Sequence, residues 1–321
     1  MDLKKAILVT GGAGYIGSHV SLYCIKKGHR VIILDNYSQG QELLSFPALV
    51  IKGDYGDPVL LATLFSTYAI QSVIHCGAST HAALSMADPL SYYDNNVSKT
   101  VILLQQMVKH NVLKFVFSSS CAVYGNQESA LLNEENPLRL VSSPYGKTKV
   151  MVEQILADCA HSYGIQFVSL RCFNAFGIEP GSGLKENHIP ETHLIPLLWH
   201  TAYLKIPFYI FGTDYDTPDG TCIRDYVHVY DSASAHYKAL EYLEKENPSD
   251  IFNIGMGKGW SVKEVIKAVE LVTQQKIQTR DALRREGDPE RLVADPFKAI
   301  HILGWKPVYS DLISGIASLL G

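Results

Sequence analysis

The chain has 321 residues, of which 47% are hydrophobic and 19% are charged, proportions typical of a folded globular protein rather than a disordered or fibrous one. The formal net charge is −4, and the acidic and basic residues are scattered, so no basic run favours nucleic acid or an anionic membrane as a partner. No apolar stretch approaches the roughly 20 residues that span a bilayer.

The first half of the sequence alternates short apolar runs with longer helical patterns. The predicted strands are residues 6–10, 31–35, 49–52, 72–75, 115–118 and 166–170, and the predicted helices are 15–27, 58–68, 92–109 and 145–162. Because the strands are almost continuously apolar, we expect them to be buried on both faces of a parallel sheet covered by helices. This pattern predicts a doubly wound α/β domain.

The sequence changes character after residue 176, where residues 177–190 are rich in glycine and proline. We predict that residues 1–176 form the large domain and that 177–321 form mainly a smaller mixed α/β domain over the carboxyl edge of the sheet. Part of 222–250 is predicted to return to the large domain, with a helix at 231–243 followed by a strand at 251–254. A further helix is predicted at 262–273.

A glycine-rich run, Thr10-Gly11-Gly12-Ala13-Gly14-Tyr15-Ile16-Gly17, follows the first predicted strand and opens the first predicted helix. Glycines at this junction allow a tight turn and let the backbone approach a pyrophosphate, and the helix amino terminus offers free N–H groups to phosphate oxygens. The alternative is that the glycines serve packing only. The context favours a Rossmann-type dinucleotide site.

An acidic residue supports that interpretation and selects the cofactor. Asp35 ends the second predicted strand, 18 residues after Gly17, where a carboxylate accepts hydrogen bonds from the adenosine ribose. A 2′-phosphate at that place would meet a like charge. We therefore expect NAD rather than NADP.

Tyr145 and Lys149 are four residues apart on a predicted helix and so share one face of it. Ser118, Ser119 and Ser120 end the fifth predicted strand beside that helix. Tyrosine has a pKa near ~10, but a lysine ammonium and the positive nicotinamide ring would favour its phenolate. The alternative is an ordinary solvated helix face. Beside the glycine run, the pattern predicts a general base that takes a proton from an alcohol.

Segments throughout the sequence resemble the extended short-chain dehydrogenase/reductase family. Besides the glycine run, they are residues 118–125 and 144–149. Residues 89–97, 171–174, 189–196, 220–229, 284–288 and 304–305 are further similar to the UDP-glucose 4-epimerases of that family. The resemblance covers essentially the whole chain.

The resemblance implies roles for individual residues. It places Ser120 and Tyr145 on the sugar hydroxyl and Lys149 on the nicotinamide ribose. The expected NAD-binding residues are Gly11, Gly14, Tyr15, Ile16, Gly17, Asp35, Asn36, Asp54, Tyr55, Cys76, Gly77, Thr80, Asn95, Ser118, Lys149 and Phe173. The expected UDP-sugar residues are Ser120, Tyr145, Asn174, His193, Leu194, Phe211, Arg224, Arg285 and Asp288. For Asp54, an ordinary turn residue is an equal alternative.

The activity implied is the interconversion of UDP-glucose and UDP-galactose. Tyr145 takes the proton of the sugar 4-hydroxyl, and the 4-keto intermediate turns before it is reduced on its other face. The alternatives are a 4-epimerase of N-acetylated or uronate UDP-sugars, another nucleotide-sugar enzyme such as a decarboxylase or dehydratase, and a non-catalytic NAD sensor. A dehydratase is disfavoured because Ser119-Ser120-Cys121 contains no carboxylate. A sensor would be expected to lose Tyr145 or Lys149.

Three further expectations concern specificity, assembly and location. By resemblance, Leu292 occupies the position that limits sugar size in relatives, and Cys172 and Thr80 depart from the usual cofactor-binding pattern. The resemblance also implies a homodimer formed through the helices 92–109 and 145–162. The six cysteines show no closely spaced pair, so we expect free thiols, no metal site and a cytoplasmic protein. The amino terminus does not resemble a signal peptide.

Overall fold

Strands and helices alternate along the chain, which a computed structural model describes for residues 5–39, 46–127, 129–138, 141–186, 191–285 and 288–320. The strands are β1 Ala6–Thr10, β2 Arg30–Asp35, β3 Leu49–Lys52, β4 Ile70–His75, β5 Lys114–Ser120, β6 Gln166–Cys172, β7 Asn174–Phe176, β8 Phe208–Phe211, β9 Ile223–His228, β10 Asp250–Ile254, β11 Gly259–Ser261, β12 Thr279–Ala282 and β13 Arg291–Leu292. The helices are α1 Tyr15–Lys26, α2 Pro58–Thr67, α3 Ala82–Ala87, α4 Pro89–Tyr93, α5 Lys99–Lys109, α6 Pro144–Tyr163, α7 Leu194–Leu204, α8 Val229–Glu244, α9 Val262–Thr273 and α10 Leu312–Ala317.

A central sheet of seven strands has the order β10-β6-β5-β4-β1-β2-β3, and each neighbouring pair in it is parallel. The predicted Rossmann-type α/β fold is confirmed. The chain order reverses between β1 and β4, which opens a crevice at the carboxyl edge of the sheet where ligands bind in such folds.

Two apolar cores cover the two faces of this sheet. One packs around Val9, Ile33 and Val116 and continues into Leu240 of α8. The other packs around Leu8 and Ile32 and includes residues of α2, α5 and α6. Burial on both faces explains why these strands are almost continuously apolar. β3 is the exception, since it lies at the edge of the sheet and both its ends are exposed. The expectation that residues 49–52 are fully buried was therefore wrong.

Later parts of the chain complete the large sheet. α8 contacts α1, β5 and β6, and β10 pairs with β6 as the last strand. β9, in contrast, belongs to a smaller sheet with β7, β11 and β13. Only the later part of residues 222–250 therefore packs on the large sheet. A separate apolar core joins α7, α9 and α10, and the domain boundary at residue 176 stays a prediction.

The helix predicted at 92–109 is interrupted. α4 ends at Tyr93, residues Asp94–Ser98 form a π-helical turn, and α5 begins at Lys99. The Asn96 side chain donates to the Ser79 carbonyl at 2.9 Å and to Thr148 Oγ1 at 3.1 Å. These bonds hold the turn against α6, and the wider turn is typical of functional sites. The short helix α3 was not predicted.

α6, which carries the predicted base, has well-defined ends. Ser143 caps its amino terminus by accepting from the Gly146 N–H at 3.1 Å, and Pro144 occupies the first helical position, as is common. Gly164 ends the helix with a φ of +72°, a conformation that glycine adopts without strain. The start of the helix, and hence the position of Tyr145, is fixed locally.

Each of the six cysteines is a free thiol. In the part of the chain that the structure describes, no helix combines the length and the apolar character required to cross a bilayer.

Buried histidines predict how stability depends on pH. Burial lowers the pKa of His75 and His228 to about 3 and that of His236 to about 4, whereas the unfolded chain has a value near ~6.5. Below that value the unfolded chain binds protons that the folded chain does not. The stabilisation is therefore complete above about pH 6.5 and is lost as the pH falls towards the folded values.

We expect the variant His236→Leu to lose less stability in acid. One such histidine lowers the free energy of unfolding of the wild type by about 2 kcal/mol between pH 7 and pH 5, because each pH unit below the unfolded pKa contributes about 1.4 kcal/mol. The difference between the free energies of unfolding at pH 7 and pH 5, measured in urea, should shrink by this amount. Other titrating groups are common to both proteins and cancel. An unchanged difference would contradict the prediction.

Candidate active site

The glycine turn between β1 and α1 lies against the backbone that follows β4. Gly11 has a φ of +67°, and a Cβ added to it would lie 2.5 Å from Gly77 Cα. A Cβ on Gly17 would lie 2.1 Å from the Gly11 carbonyl oxygen. The carboxylate of Asp35 accepts from the Ala13 N–H at 2.9 Å. The turn therefore requires glycine, and its backbone is held beside the predicted ribose-binding acid.

A cavity of about 640 Å³ runs from this turn to Tyr145. Its size suits a cofactor or small-molecule site, and it opens at the crevice between β1 and β4. Of the predicted cofactor residues it is lined by Gly11, Gly14, Tyr15, Ile16, Gly17, Asp35, Asn36, Tyr55, Cys76, Gly77, Thr80, Asn95, Ser118, Lys149 and Phe173. The glycine turn, the acid and the cavity together fit a dinucleotide.

Asp54 does not line that cavity. Its carboxylate pairs with Lys99 Nζ at 2.7 Å and accepts from Asn36 Nδ2 at 3.2 Å and the Gly56 N–H at 2.8 Å. These bonds describe a turn residue that also braces Asn36, which does line the cavity. Its role in holding the cofactor stays a prediction.

The predicted base and its partners meet at the carboxyl end of β5. Ser120 and Tyr145 line the same cavity, and the Ser120 hydroxyl acts to lower the pKa of the Tyr145 phenol. Lys149 Nζ donates to the Ser118 carbonyl at 2.8 Å and lies 5.8 Å from the centroid of the Tyr145 ring. All four residues line the larger cavity. The structure therefore brings together the residues that the sequence analysis assigned to proton transfer.

The pKa values of Tyr145 and Lys149 differ from what their spacing alone suggested. Burial raises the pKa of Tyr145 above its ordinary value, and the hydrogen bond from Ser120 only partly offsets this. Burial also lowers the pKa of Lys149 to about 8, since removal from water disfavours its charge. The lysine by itself therefore does not make the phenol acidic. The second contribution named in the prediction, a cationic nicotinamide ring, would lower the pKa of the phenol further.

A second cavity, of about 190 Å³, adjoins the first and shares Asn174, His193, Arg285 and Asp288 with it. It is also lined by the remaining predicted sugar-nucleotide residues Leu194, Phe211 and Arg224. All the predicted UDP-sugar residues thus lie around two connected cavities, with Ser120 and Tyr145 in the larger one.

Two arginines face this junction in different ways. Arg224 forms an ion pair with Asp288 and donates to the Pro289 carbonyl at 2.6 Å. The Arg285 guanidinium stacks over the Phe211 ring, 4.2 Å from its centroid. Planar guanidinium groups suit bidentate contact with phosphate oxygens, and Arg285 presents such a group next to a flat apolar surface.

Residues 7–255 match the model of the NAD dependent epimerase/dehydratase family. The chain belongs to this family. Family membership accounts for the combination of a glycine turn with a tyrosine and lysine on α6, and the NAD dependence named in the family's description agrees with the predicted cofactor.

Individual members of the epimerase/dehydratase family match almost the whole chain. The UDP-glucose 4-epimerase of Halalkalibacterium halodurans is 46% identical over 308 residues, which are 96% of this chain and 92% of that protein. A structure of UDP-glucose 4-epimerase from Brucella ovis with NAD has a TM-score of 0.93 and 39% identity, covering 97% of this chain and 96% of that one. The UDP-Glc/GlcNAc 4-epimerase from Campylobacter jejuni has a TM-score of 0.84 and 38% identity, covering 98% and 97%.

His193 has carboxylate partners that the sequence analysis missed. Its Nδ1 lies 2.8 Å from Glu186 Oε1 and 2.9 Å from Glu191 Oε1. Burial opposes the charge on the imidazole, but these hydrogen bonds outweigh it and raise the pKa of His193 to about 10. In this epimerase/dehydratase fold the ring is therefore cationic at neutral pH, beside the site predicted to bind a diphosphate.

Two other residues near the site were also missed. Glu153 lies one turn after Lys149 on α6, and Arg171 lies on β6; both are buried and they form an ion pair. The spacing of four residues from Lys149 could have indicated Glu153, but its partner Arg171 lies on a strand 18 residues further along the chain.

The motif segments 189–196 and 284–288 each extend into residues outside the described ranges.

Proposed function

We propose that the chain interconverts UDP-glucose and UDP-galactose by NAD-dependent epimerisation at C4. The observation that carries the proposal is that Ser120 and Tyr145 line a cavity that reaches the glycine turn at one end and Arg285 at the other. The UDP-glucose 4-epimerase relative, 46% identical over nearly the full length, supports the same activity.

The chain's own residues supply proton transfer and positioning. Tyr145 accepts the proton of the sugar 4-hydroxyl and later returns one, while the Ser120 hydroxyl holds the sugar oxygen. Lys149 has a pKa of about 8 and supplies positive charge near the phenol. NAD would be held by the glycine turn and Asp35, and when bound it supplies reversible hydride transfer at C4 and, in its oxidised form, a positive charge.

The second cavity provides the anchor that such a reaction needs. A ketone formed at C4 must stay bound while the sugar turns to present its other face. We propose that Arg224, Arg285 and His193 hold the diphosphate by charge-assisted hydrogen bonds and that Phe211 and Leu194 contact the uridine. Firm contacts at the nucleotide and few at the sugar allow the turn without loss of the intermediate.

The proposal is tested by mixing purified protein with UDP-galactose and following UDP-glucose by NMR, without added NAD and then with it. Product without added cofactor is the expected result, because the reaction has no net redox change and the cofactor is regenerated in each cycle. Product only with added NAD would still support the activity and show that the cofactor exchanges. No product under either condition would overturn the proposal.

The preferred sugar depends on the larger cavity, where Leu292 is a buried wall residue. We expect Leu292→Ala to raise kcat/KM for UDP-N-acetylglucosamine relative to UDP-glucose about 10-fold, because a smaller side chain admits the N-acetyl group and apolar pockets discriminate by 10- to 200-fold. Leu271→Ala, at an exposed position on α9, is the control. An unchanged ratio would show that another residue limits sugar size.

We also propose a cytoplasmic homodimer that associates through α5 and α6. Two exposed apolar side chains, Leu90 on α4 and Met151 on α6, support an interface there. The free thiols support a reducing compartment. Light scattering on the purified protein should give about twice the mass of one chain.

A further inference from the structure

Three successive serines end β5, and each contacts a different turn of α6. The Ser120 hydroxyl lowers the pKa of Tyr145, and the Ser118 carbonyl accepts from Lys149. Ser119 Oγ donates to Glu153 Oε1 at 2.6 Å. The helix residues are spaced by four, so they form a single row along the face of α6 that meets the strand. Nothing in the proposed chemistry uses the third contact.

Glu153 is held from its other side by a buried cation. Arg171 NH2 lies 2.8 Å from Glu153 Oε2, and Arg171 Nε lies 3.2 Å from Oε1. The side chains are only 3% and 4% exposed. A bidentate pair of this kind fixes both groups in geometry, and neither ion is stable there without the other because water is excluded.

Arg171 extends the network to the far edge of the sheet. Its NH1 donates to the Tyr124 hydroxyl at 3.1 Å, which in turn donates to Asn253 Oδ1 at 2.7 Å. Arg171 lies on β6 and Asn253 lies on β10, next to β6 in the sheet. The carboxylate on α6 is therefore tied to three neighbouring strands, β5, β6 and β10.

The position of Glu153 matters because catalysis tolerates little displacement. An α-helix rises about 1.5 Å per residue, so a slip of α6 by a fraction of one residue moves the phenol by about 1 Å. A misplacement of about 1 Å is enough to reduce rates by about 10²-fold. Tyr145 begins the row. The Ser143 cap and the Ser85 hydroxyl hold the start of α6, whereas Lys149 and Glu153 tie the helix to β5.

We propose that Glu153, clamped between Ser119 and Arg171, is a positioning residue that sets the register of α6 against β5 and so holds Tyr145 against Ser120. The proposal rests on the proposed function only for its kinetic readout. It assigns to Glu153 no contact with the substrate or the cofactor.

Glu153→Gln tests the proposal, since it keeps the shape of the side chain and removes the charge that Arg171 needs. We expect kcat for UDP-galactose to fall 10- to 100-fold, because a small misplacement of the phenol reduces the rate by that order. KM should change by less than 2-fold. The acid limb of the kcat profile should move to higher pH, because the Ser120 hydrogen bond that lowers the pKa of Tyr145 is weakened. Unchanged kcat, KM and pH profile would overturn the proposal.

A second measurement does not depend on activity. Hydrogen exchange followed by mass spectrometry should show faster exchange at residues 144–150 in Glu153→Gln than in the wild type. Glu270→Gln is the matched control, because it breaks the ion pair of Glu270 with Lys276. Glu270 lies on α9, which packs in a separate core from α6. Equal exchange in the wild type and Glu153→Gln would also overturn the proposal, even if the wild type proved inactive on UDP-sugars and the proposed function failed.

Further variants keep the test decisive if Glu153→Gln does not fold. The double variant Glu153→Gln with Arg171→Gln leaves no unpaired buried charge, and Ser119→Ala keeps the ion pair and removes one hydrogen bond. We expect both to fold and to show the same pH shift, with a smaller loss of kcat in Ser119→Ala. Wild-type kinetics and exchange in both would refute a positioning role.

Discussion

Replacing Tyr145 with phenylalanine is expected to reduce kcat for UDP-galactose at least ~100-fold, because a positioned general base contributes 10²- to 10⁴-fold. The phenyl ring fills the same space, so the larger cavity keeps its shape. NAD and UDP binding, measured by calorimetry, should change by less than about 3-fold. The loss would therefore appear in kcat and not in KM.

Tyr163→Phe is the control for this variant. Tyr163 lies at the end of the same helix and is exposed, so removal of its hydroxyl should leave kcat unchanged. Near-normal turnover in Tyr145→Phe would show that another group takes the proton, and the assignment of the base would be wrong.

Gly17→Ala should have the second large effect, on the cofactor site and on folding. A Cβ at this position would lie 2.1 Å from the Gly11 carbonyl oxygen, and neither atom belongs to a flexible side chain. α1 must then move away from the turn, which pulls its amino terminus from the phosphate site. We expect the affinity for NAD to fall more than ~100-fold. The melting temperature should fall by several degrees, because overpacking costs about 1–3 kcal/mol of stability.

Gly14→Ala provides the comparison within the same turn. Its added Cβ would lie 3.3 Å from the Gly11 carbonyl oxygen, and its φ of −72° suits any residue. We expect a melting temperature close to that of the wild type. If Gly17→Ala retained NAD and stability as well as Gly14→Ala does, the close packing of α1 on the turn would not be what requires glycine.

Local sequence was sufficient to predict the elements that build the cofactor site. β1 was predicted with its observed bounds, and the end of β2 at Asp35 was also predicted. These features depend on an apolar run, a glycine turn and a helix start, all of which lie within a few neighbouring residues.

Features set by distant contacts were not predictable in this way. The exposure of β3 follows from its place at the sheet edge, and its apolar sequence does not reveal that place. The break at Asp94–Ser98 is fixed by Asn96 through its bonds to Ser79 and Thr148. The Glu153–Arg171 ion pair joins a helix to a strand, and the sequence pattern of either element alone indicates only one of the two residues.

The electrostatics of Tyr145 illustrate the same limit. The spacing of Tyr145 and Lys149 correctly indicated a shared helix face, but spacing contains no information about burial. In the folded chain, burial raises the pKa of the tyrosine and lowers that of the lysine. Only knowledge of the enclosing cavity shows which effect is larger.

The place of β10 in the large sheet has a consequence for synthesis of the chain. A ribosome releases residues 1–176 well before Asp250–Ile254 emerges, and until then β6 presents an unpaired edge. Such edges recruit other strands and promote aggregation. The large sheet therefore cannot be completed in the order in which its strands are translated, and a fragment that stops at residue 176 should require chaperones or precipitate.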